Sequence, residues 1–194
     1  AAKGDFTIRL EAQYDTSALD PEYDLNGRYS YSLNNGEWHE INSFHRVEVW
    51  GYYWTVSDYI SVSENDTVSF KGSWRKIDNY SHYVSIGMYS NDDYPEVESS
   101  GNIASMYSGY DTASGIDVPS IYAGLFDGCT YLTKAPKIPV TKHVQPYMFY
   151  KTFAYCTNLR EMPLLLSRDT NLHCYDSMFA NCTALRETSV MSLL

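Results

Sequence analysis

Apolar and polar side chains alternate along residues 1–100 at a period of two, which is typical of half-buried β-strands. In the clearest run, Phe6, Ile8, Leu10 and Ala12 alternate with polar residues. Further strands are predicted where similar runs recur, at residues 29–33, 44–56, 67–70 and 82–89. Turn residues separate these runs and no long helical period appears. Residues 1–100 are therefore predicted to form an antiparallel β-sandwich-like module.

A tight hairpin is predicted inside this module. Asn35 and Gly36 stand between two apolar runs, and Asn-Gly is the strongest short signal for a two-residue type I′ turn. Such a turn would place Trp38 across from Leu33.

The last third of the chain repeats one pattern three times, over residues 121–147, 148–174 and 175–194. In each copy a Phe is followed by a Cys after three residues and by a Leu after three more. The repeat period is 27 residues from Phe126 to Phe153 and 26 from Phe153 to Phe179. A fixed period of about this length indicates stacked units in which equivalent positions lie one above another and form ladders. The predicted ladder positions are Phe126, Cys129, Leu132, Phe153, Cys156, Leu159, Phe179, Cys182 and Leu185.

Local chemistry within each copy suggests its conformation. An aromatic residue precedes each Phe by four positions, at Tyr122, Phe149 and Tyr175. This spacing predicts a short helical turn with both rings on one side. The small Cys suits a buried corner, and the Leu is predicted to begin a short extended stretch.

The repeated residues resemble the BspA-type leucine-rich repeats, which read roughly Tyr-x-x-Met-Phe-x-x-Cys-Thr-x-Leu. Tyr175 to Leu185 match that pattern position by position, and Gly101 to Tyr107 resemble the lead-in segment of such repeats. The resemblance covers residues 100–194. It implies a short solenoid with a role in adhesion or scaffolding. Such proteins occur on the surface of gut and oral Bacteroidetes, in some of their phages and in some protists.

Charge and residue usage change near residue 100. Residues 1–100 hold 7 Lys or Arg against 17 Asp or Glu, whereas residues 101–194 hold 7 of each. All four Trp lie in the first part and all four Cys in the second. The change predicts two modules joined by an ordered connector at residues 101–120.

The acidic composition and the lack of long apolar runs argue against two kinds of partner, nucleic acid and the membrane interior. A chain of net charge −10 without clusters of Lys or Arg is a poor binder of nucleic acid, because phosphate neutralisation needs cations. No apolar run approaches the roughly 20 residues of a membrane span. Neither nucleic acid binding nor membrane insertion is predicted.

Three of the four Cys occupy the same repeat position, which favours buried, reduced, structural thiols. A disulfide between neighbouring copies stays a second possibility, because ladder neighbours would lie about 4.8 Å apart. Cys174 lies off the ladder and is expected in the core. The Cys spacing fits no zinc site.

The candidate ligand-binding residues are Trp50, Tyr52, Tyr53 and Trp54. In a strand, Trp50, Tyr52 and Trp54 would share one face and Tyr53 would lie on the other, so not all of them can be core residues. Exposed aromatic rings stack on sugars and anchor protein interfaces. The competing interpretation, which the frequent use of aromatics in strands favours, is that both faces pack within the module.

Glu22, Asp24 and Asn26 resemble the opening of a calcium loop. The last position of such a loop should be Glu and is Leu33, so a solvated acidic loop is favoured. No metal, cofactor or catalytic motif is predicted.

The combined prediction is a mainly β chain with short helical turns, acting as a non-catalytic, surface-exposed binding or adhesion protein. It would come from a gut-type bacterium or its phage, lie outside the cell or on a virion, and recognise a protein or glycan. The first alternative is a structural assembly protein, either a virion decoration or fibre component or a homo-oligomer formed through the open C-terminal repeat edge near Leu193 and Leu194. A carbohydrate-active enzyme is a disfavoured second alternative.

Overall fold

The computed structural model describes residues 2–13, 25–49, 51–72, 84–92, 95–107, 119–141, 143–167 and 169–186. Within these residues the chain is mainly β, as predicted, with a short 3-10 helix at Ile103–Met106 and no α-helix. The strands are β1 (Ala2–Lys3), β2 (Phe6–Gln13), β3 (Tyr29–Leu33), β4 (His39–Glu40), β5 (His45–Val49), β6 (Tyr52–Val56), β7 (Ile60–Val62), β8 (Val68–Gly72), β9 (Val84–Tyr89), β10 (Glu96–Glu98) and β11 (Leu132–Lys134).

Strand β2 is the centre of the largest sheet, a five-stranded antiparallel one in the order β5-β6-β2-β7. Strands β6 and β7 pair with opposite ends of β2, and β9 pairs along its other edge. The apolar half of the alternation, Phe6, Ile8, Leu10 and Ala12, is buried. The alternation therefore places these side chains in the core and the polar ones on the outer face of the sheet.

Two smaller sheets complete the fold. Strands β4, β3 and β8 form an antiparallel sheet in that order. In the third sheet, β10 pairs antiparallel with β1 and parallel with β11 of the first repeat copy. Buried apolar side chains from both parts of the chain form one contiguous core.

The predicted hairpin turn exists but begins one residue earlier. Asn34 and Asn35 have φ values of 52° and 58°, and the Gly36 N–H donates to the Leu33 carbonyl at 2.8 Å. The Asn34 side chain fixes this position, because its amide group donates to Asp66 and its carbonyl oxygen accepts from the Thr67 N–H. Strand β3 pairs with β4 only at Ser30 with Glu40 and at Tyr31 with His39. Trp38 precedes β4 and is not in a register that places it across from Leu33, so that predicted pairing is wrong.

The single strand predicted over residues 44–56 is also wrong. These residues form two antiparallel strands, β5 and β6, in which His45 pairs with Val56 and Val49 with Tyr52. The chain reverses at Gly51, whose φ of 80° favours glycine.

Aromatic rings of successive repeat copies stack on one another. The ring of Phe153 lies 5.3 Å from that of Phe126 and 5.7 Å from that of Phe179, nearly parallel to both. The preceding aromatics form a second column, in which Phe149 stacks between Tyr122 and Tyr175, at 5.4 Å from each. Like positions in neighbouring copies therefore contact each other directly.

The predicted helical turns in the repeats are wrong. Alternate N–H groups donate to the next copy, for example Phe126 to the Thr152 carbonyl at 2.8 Å and Phe153 to the Met178 carbonyl at 2.9 Å. An α-helix would use these groups within its own segment. The backbone instead forms a chain of turns with positive φ at every fourth residue, namely Ser120, Gly124, Gly128, Tyr147, Lys151, Tyr155, His173, Ser177 and Asn181.

Each ladder cysteine forms a hydrogen bond to the element before it. The thiol of Cys156 donates to the Phe126 carbonyl at 3.1 Å, and that of Cys182 to the Phe153 carbonyl at 3.0 Å. The thiol of Cys129 donates to the Ile86 carbonyl at 2.9 Å. Strand β9 thus takes the place that an earlier copy would occupy.

All four cysteines are free and buried, Cys174 included. Burial raises the pKa of the Cys129 and Cys156 thiols. Because the thiolate is the reactive form, we expect no labelling of the folded protein by iodoacetamide at pH 8 over minutes. Four thiols should react once urea unfolds it. Rapid labelling of the folded chain, or fewer than four thiols in denaturant without reductant, would contradict this expectation.

Candidate functional site

The β5–β6 hairpin projects from the edge of the five-stranded sheet. Burial increases along β6, from Tyr52, which is 64% exposed, through the half-buried Trp54 to the fully buried Val56. Four of the five residues of β5 are exposed as well. The base of the hairpin is buried on β6, whereas its tip presents both faces to solvent.

One face of the hairpin is apolar. Cross-strand pairing of Val47 with Trp54 and of Val49 with Tyr52 places these four side chains on the same side of the sheet. We call this set the hairpin face. Two of the predicted ligand-binding residues, Tyr52 and Trp54, therefore lie together.

Tyr53 lies on the opposite side, as its position in the strand requires. The guanidinium of Arg46 lies over the Tyr53 ring, 3.5 Å from its centre. This contact is a cation–π interaction that holds the ring against its own hairpin. Trp50, the fourth predicted binding residue, lies outside the described residues.

A polar cluster continues the outer face of the sheet toward β2 and β9. The Arg9 Nε atom donates to Glu11 at 2.7 Å, and the Tyr89 hydroxyl also donates to Glu11. The Arg9 guanidinium lies 4.8 Å from the ring centre of Tyr59 and 5.3 Å from that of Tyr89. Gln13 pairs with Trp54 of the hairpin face, and Glu11, two residues before Gln13 in β2, lies on the same side of the sheet. The polar cluster and the hairpin face therefore share one side of the sheet.

The charged and polar groups of this cluster, on Arg9, Glu11 and Tyr89, pair with one another. Burial raises the pKa of Tyr89 to about 12, and its hydrogen bond to Glu11 adds to the rise. Burial alone would lower the pKa of Arg9, but the hydrogen bonds and charges of Glu11 and Tyr89 outweigh it and raise that pKa. Tyr89 therefore stays neutral and Arg9 charged at physiological pH. Sequence analysis missed this cluster, since only the β2–β9 pairing brings Tyr89 to Glu11.

A second apolar surface lies on the repeat copies at residues 162–166, which we call the leucine segment. Leu164 is 74% exposed, and Leu166 is also mostly exposed. Ile138 of the first copy is buried, whereas the equivalent Leu165 of the second copy is exposed. The equivalent residues of the third copy, 188–192, and the following Leu193 and Leu194 lie outside the described residues.

The predicted calcium residues are not brought together by the described part of the chain. The Asn26 side-chain oxygen accepts a hydrogen bond from the Phe44 N–H at 3.1 Å, and Glu22 and Asp24 lie outside the described residues. No group of three or more His, Cys, Asp or Glu residues suited to a metal ion is found in the described ranges. Those ranges also contain no helix long and apolar enough to cross a membrane.

The hairpin face and the polar cluster supply ring faces, methyl groups and one paired charge. These groups suit contact with another surface. No family model matches the chain, and no curated protein or solved structure is detectably similar to it.

Proposed function

We propose that this chain is a non-catalytic binding or adhesion protein, exposed on a cell or virion surface, that recognises a protein or glycan. In this proposal a β-sandwich-like module carries the hairpin face, and BspA-type leucine-rich repeats form a short solenoid behind it. The ring columns through Phe153 and Phe149 support the repeat assignment.

The observation that carries the proposal is the exposure of Tyr52 beside Trp54, Val47 and Val49 on a projecting hairpin. Leaving a contiguous apolar surface in water is unfavourable, and such surfaces mark interaction sites. Tyr and Trp also contribute large contact areas with few rotatable bonds, which explains their enrichment among residues that dominate binding energy.

The test compares Tyr52→Ala with Tyr155→Ala on a glycan array and on an array of purified mucins and matrix proteins. Tyr155 is a matched control because it is similarly exposed but lies on the repeats. We expect Tyr52→Ala to weaken binding at least tenfold, about 1.4 kcal/mol, and Tyr155→Ala to have no effect. Both variants should fold, since neither side chain is buried.

Two outcomes would contradict the proposed function. One is that the wild-type chain binds neither array. The other is that Tyr52→Ala and Tyr155→Ala lose signal equally, since the contact surface would then lie elsewhere. Which array gives the signal decides between glycan and protein recognition.

Self-assembly through the leucine segment is a second candidate function. Leu165 is exposed where its equivalent, Ile138, is buried, so another polypeptide segment could cover the leucine segment. We expect mass photometry to detect an oligomer that dissociates in the double variant Leu164→Asp, Leu166→Asp. The control Val49→Asp places a carboxylate on the hairpin face and should leave the oligomer intact. A monomeric wild-type chain would contradict this candidate.

A further inference from the structure

A cleft of about 680 Å³ opens between strand β8 and residues 98–102. Its floor is apolar and is formed by side chains of β2, β9 and the first repeat copy, including Phe6, Met88 and Phe126. This volume lies in the range of protein ligand sites, about 300–1,000 Å³. The hairpin face does not contribute to the cleft, so ligand binding in the cleft would be independent of the proposed function.

One wall of the cleft is the free edge of strand β8. The Asn34 N–H donates to the Thr67 carbonyl at 2.8 Å, so the main-chain groups of Thr67 point toward β3. Main-chain groups alternate in direction along a strand, and those of Val68 and Phe70 therefore point away from β3. The Ser105 hydroxyl, which donates to the Phe70 carbonyl at 3.3 Å, agrees with this direction.

The main chain of Val68 is the important feature of this wall. Its N–H and carbonyl point toward the cleft, where no described residue forms a backbone hydrogen bond with them. A strand edge with free main-chain groups is a template for another strand.

The opposite wall, formed by residues 98–102, also directs main-chain groups toward the cleft. The Val97 and Ser99 N–H groups donate to Tyr131 and Lys134, and the Gly101 carbonyl accepts from Lys137. These odd-numbered residues therefore direct their main-chain groups toward the repeats. By alternation, the groups of Ser100, which lines the cleft, point the other way.

Both ends of the cleft are closed by the chain. At one end the Ala2 N–H donates to the Asp66 carbonyl at 3.2 Å, and Ala2 pairs with Val97 of β10. At the other end the 3-10 helix approaches β8 through Ser105. Residues 67–70 line the space between these ends, a length of about 13 Å in an extended chain.

We propose that this cleft binds an extended peptide segment of a partner polypeptide, which adds as a strand between β8 and residues 98–102. Strand addition supplies main-chain donors and acceptors to both walls, and alternate side chains of the peptide pack on the apolar floor. A small apolar molecule would fill the floor but leave the walls without hydrogen bonds, which is unfavourable for buried main-chain groups.

The negative charge of the cleft lining also restricts the sequence of the peptide. The described lining residues include the carboxylates of Asp66 and Glu98 and no Lys or Arg. Acidic side chains in the peptide would be repelled. The partner segment therefore has apolar residues at alternate positions, polar or basic residues between them, and no Asp or Glu.

The test uses a fluorescent seven-residue peptide, acetyl-Lys-Val-Thr-Val-Thr-Val-Lys-amide, and the full chain. About four central residues of this peptide match the length of the cleft, and the residues at its two ends leave through the open side. Anisotropy should show saturable binding below about 1 mM. Amide hydrogen exchange of Val68 and Phe70 should slow at least tenfold at saturation, because strand addition protects these groups. The same peptide N-methylated at its three Val residues should bind at least tenfold more weakly, since it cannot donate from those positions.

Two protein variants complete the test. Val68→Pro removes the N–H that faces the cleft, at an edge position where proline is tolerated, and should abolish binding. Tyr52→Ala should bind the peptide like the wild type, even if it eliminates array binding. The N-methylated peptide keeps the test decisive if Val68→Pro does not fold.

Three results would each overturn the proposal. The first is no peptide binding at the highest concentration. The second is binding without slower exchange at Val68 and Phe70. The third is equal binding of the N-methylated peptide, which would mean that the cleft takes apolar groups without strand pairing.

Discussion

Replacing Phe153 with alanine is expected to lower the free energy of unfolding by about 3–5 kcal/mol. The side chain is completely buried and its ring stacks on Phe126 at 5.3 Å and on Phe179 at 5.7 Å. Removing it loses the transfer energy of the ring and leaves a cavity between two copies. Few other substitutions in the repeats would interrupt a ring column on both sides at once.

Urea unfolding followed by circular dichroism measures this effect. The matched control is Tyr155→Ala, two residues along the same copy, whose side chain is 51% exposed; it should change stability by less than about 0.5 kcal/mol. Phe179→Ala should be intermediate, because Phe179 is only partly buried. The stacking account is wrong if Phe153→Ala costs no more than Tyr155→Ala.

The second large effect is expected for Gly72→Ala at the end of strand β8. A Cβ atom there would lie 2.3 Å from the Met106 carbonyl oxygen and 2.6 Å from the Tyr29 ring. Tyr29 is fully buried, so neither neighbour can move without displacing the core. Overpacking of this kind typically costs about 1–3 kcal/mol, and a backbone neighbour favours the upper end.

Gly87→Ala is the control for this substitution. A Cβ atom at Gly87 would lie 2.6 Å from Glu11 Oε1 and 3.0 Å from the Tyr89 ring. Glu11 is hydrogen-bonded to Arg9 and Tyr89, but all of these groups are side chains, which can shift more easily than the main chain of Met106. We expect a smaller loss of stability for Gly87→Ala than for Gly72→Ala in parallel urea titrations. Equal or reversed losses would show that the contact between β8 and the 3-10 helix is not tight.

Alternation predicted the strands β2, β3 and β9 but missed the shortest strands and one turn. Phe6 to Ala12 alternate over enough residues to reveal both the strand and its buried face. Strand β7 spans only Ile60–Val62, too few residues for a period of two to stand out. The turn at Gly51 stayed hidden because β5 and β6 are both rich in strand-forming residues, and together they resemble one long strand.

Part of the candidate site could likewise be predicted from the sequence, and the rest depends on strand pairing. The shared face of Tyr52 and Trp54 follows from their spacing in one strand. Val47 and Val49 join that face only through the β5–β6 pairing. Arg9, Glu11 and Tyr89 offered no local signal, because 78 residues separate Glu11 from Tyr89.

The sequence by itself determined which side chains are equivalent, because the period of strands and repeats lies in the side chains and can be counted along the chain. The tertiary structure alone decided where the main-chain hydrogen bonds go. Phe126 and Phe153 donate to the next copy and not within a helix, and Val68 faces a cleft. Every residue except proline carries the same main-chain N–H and carbonyl, so their partners depend on which segments lie beside them after folding.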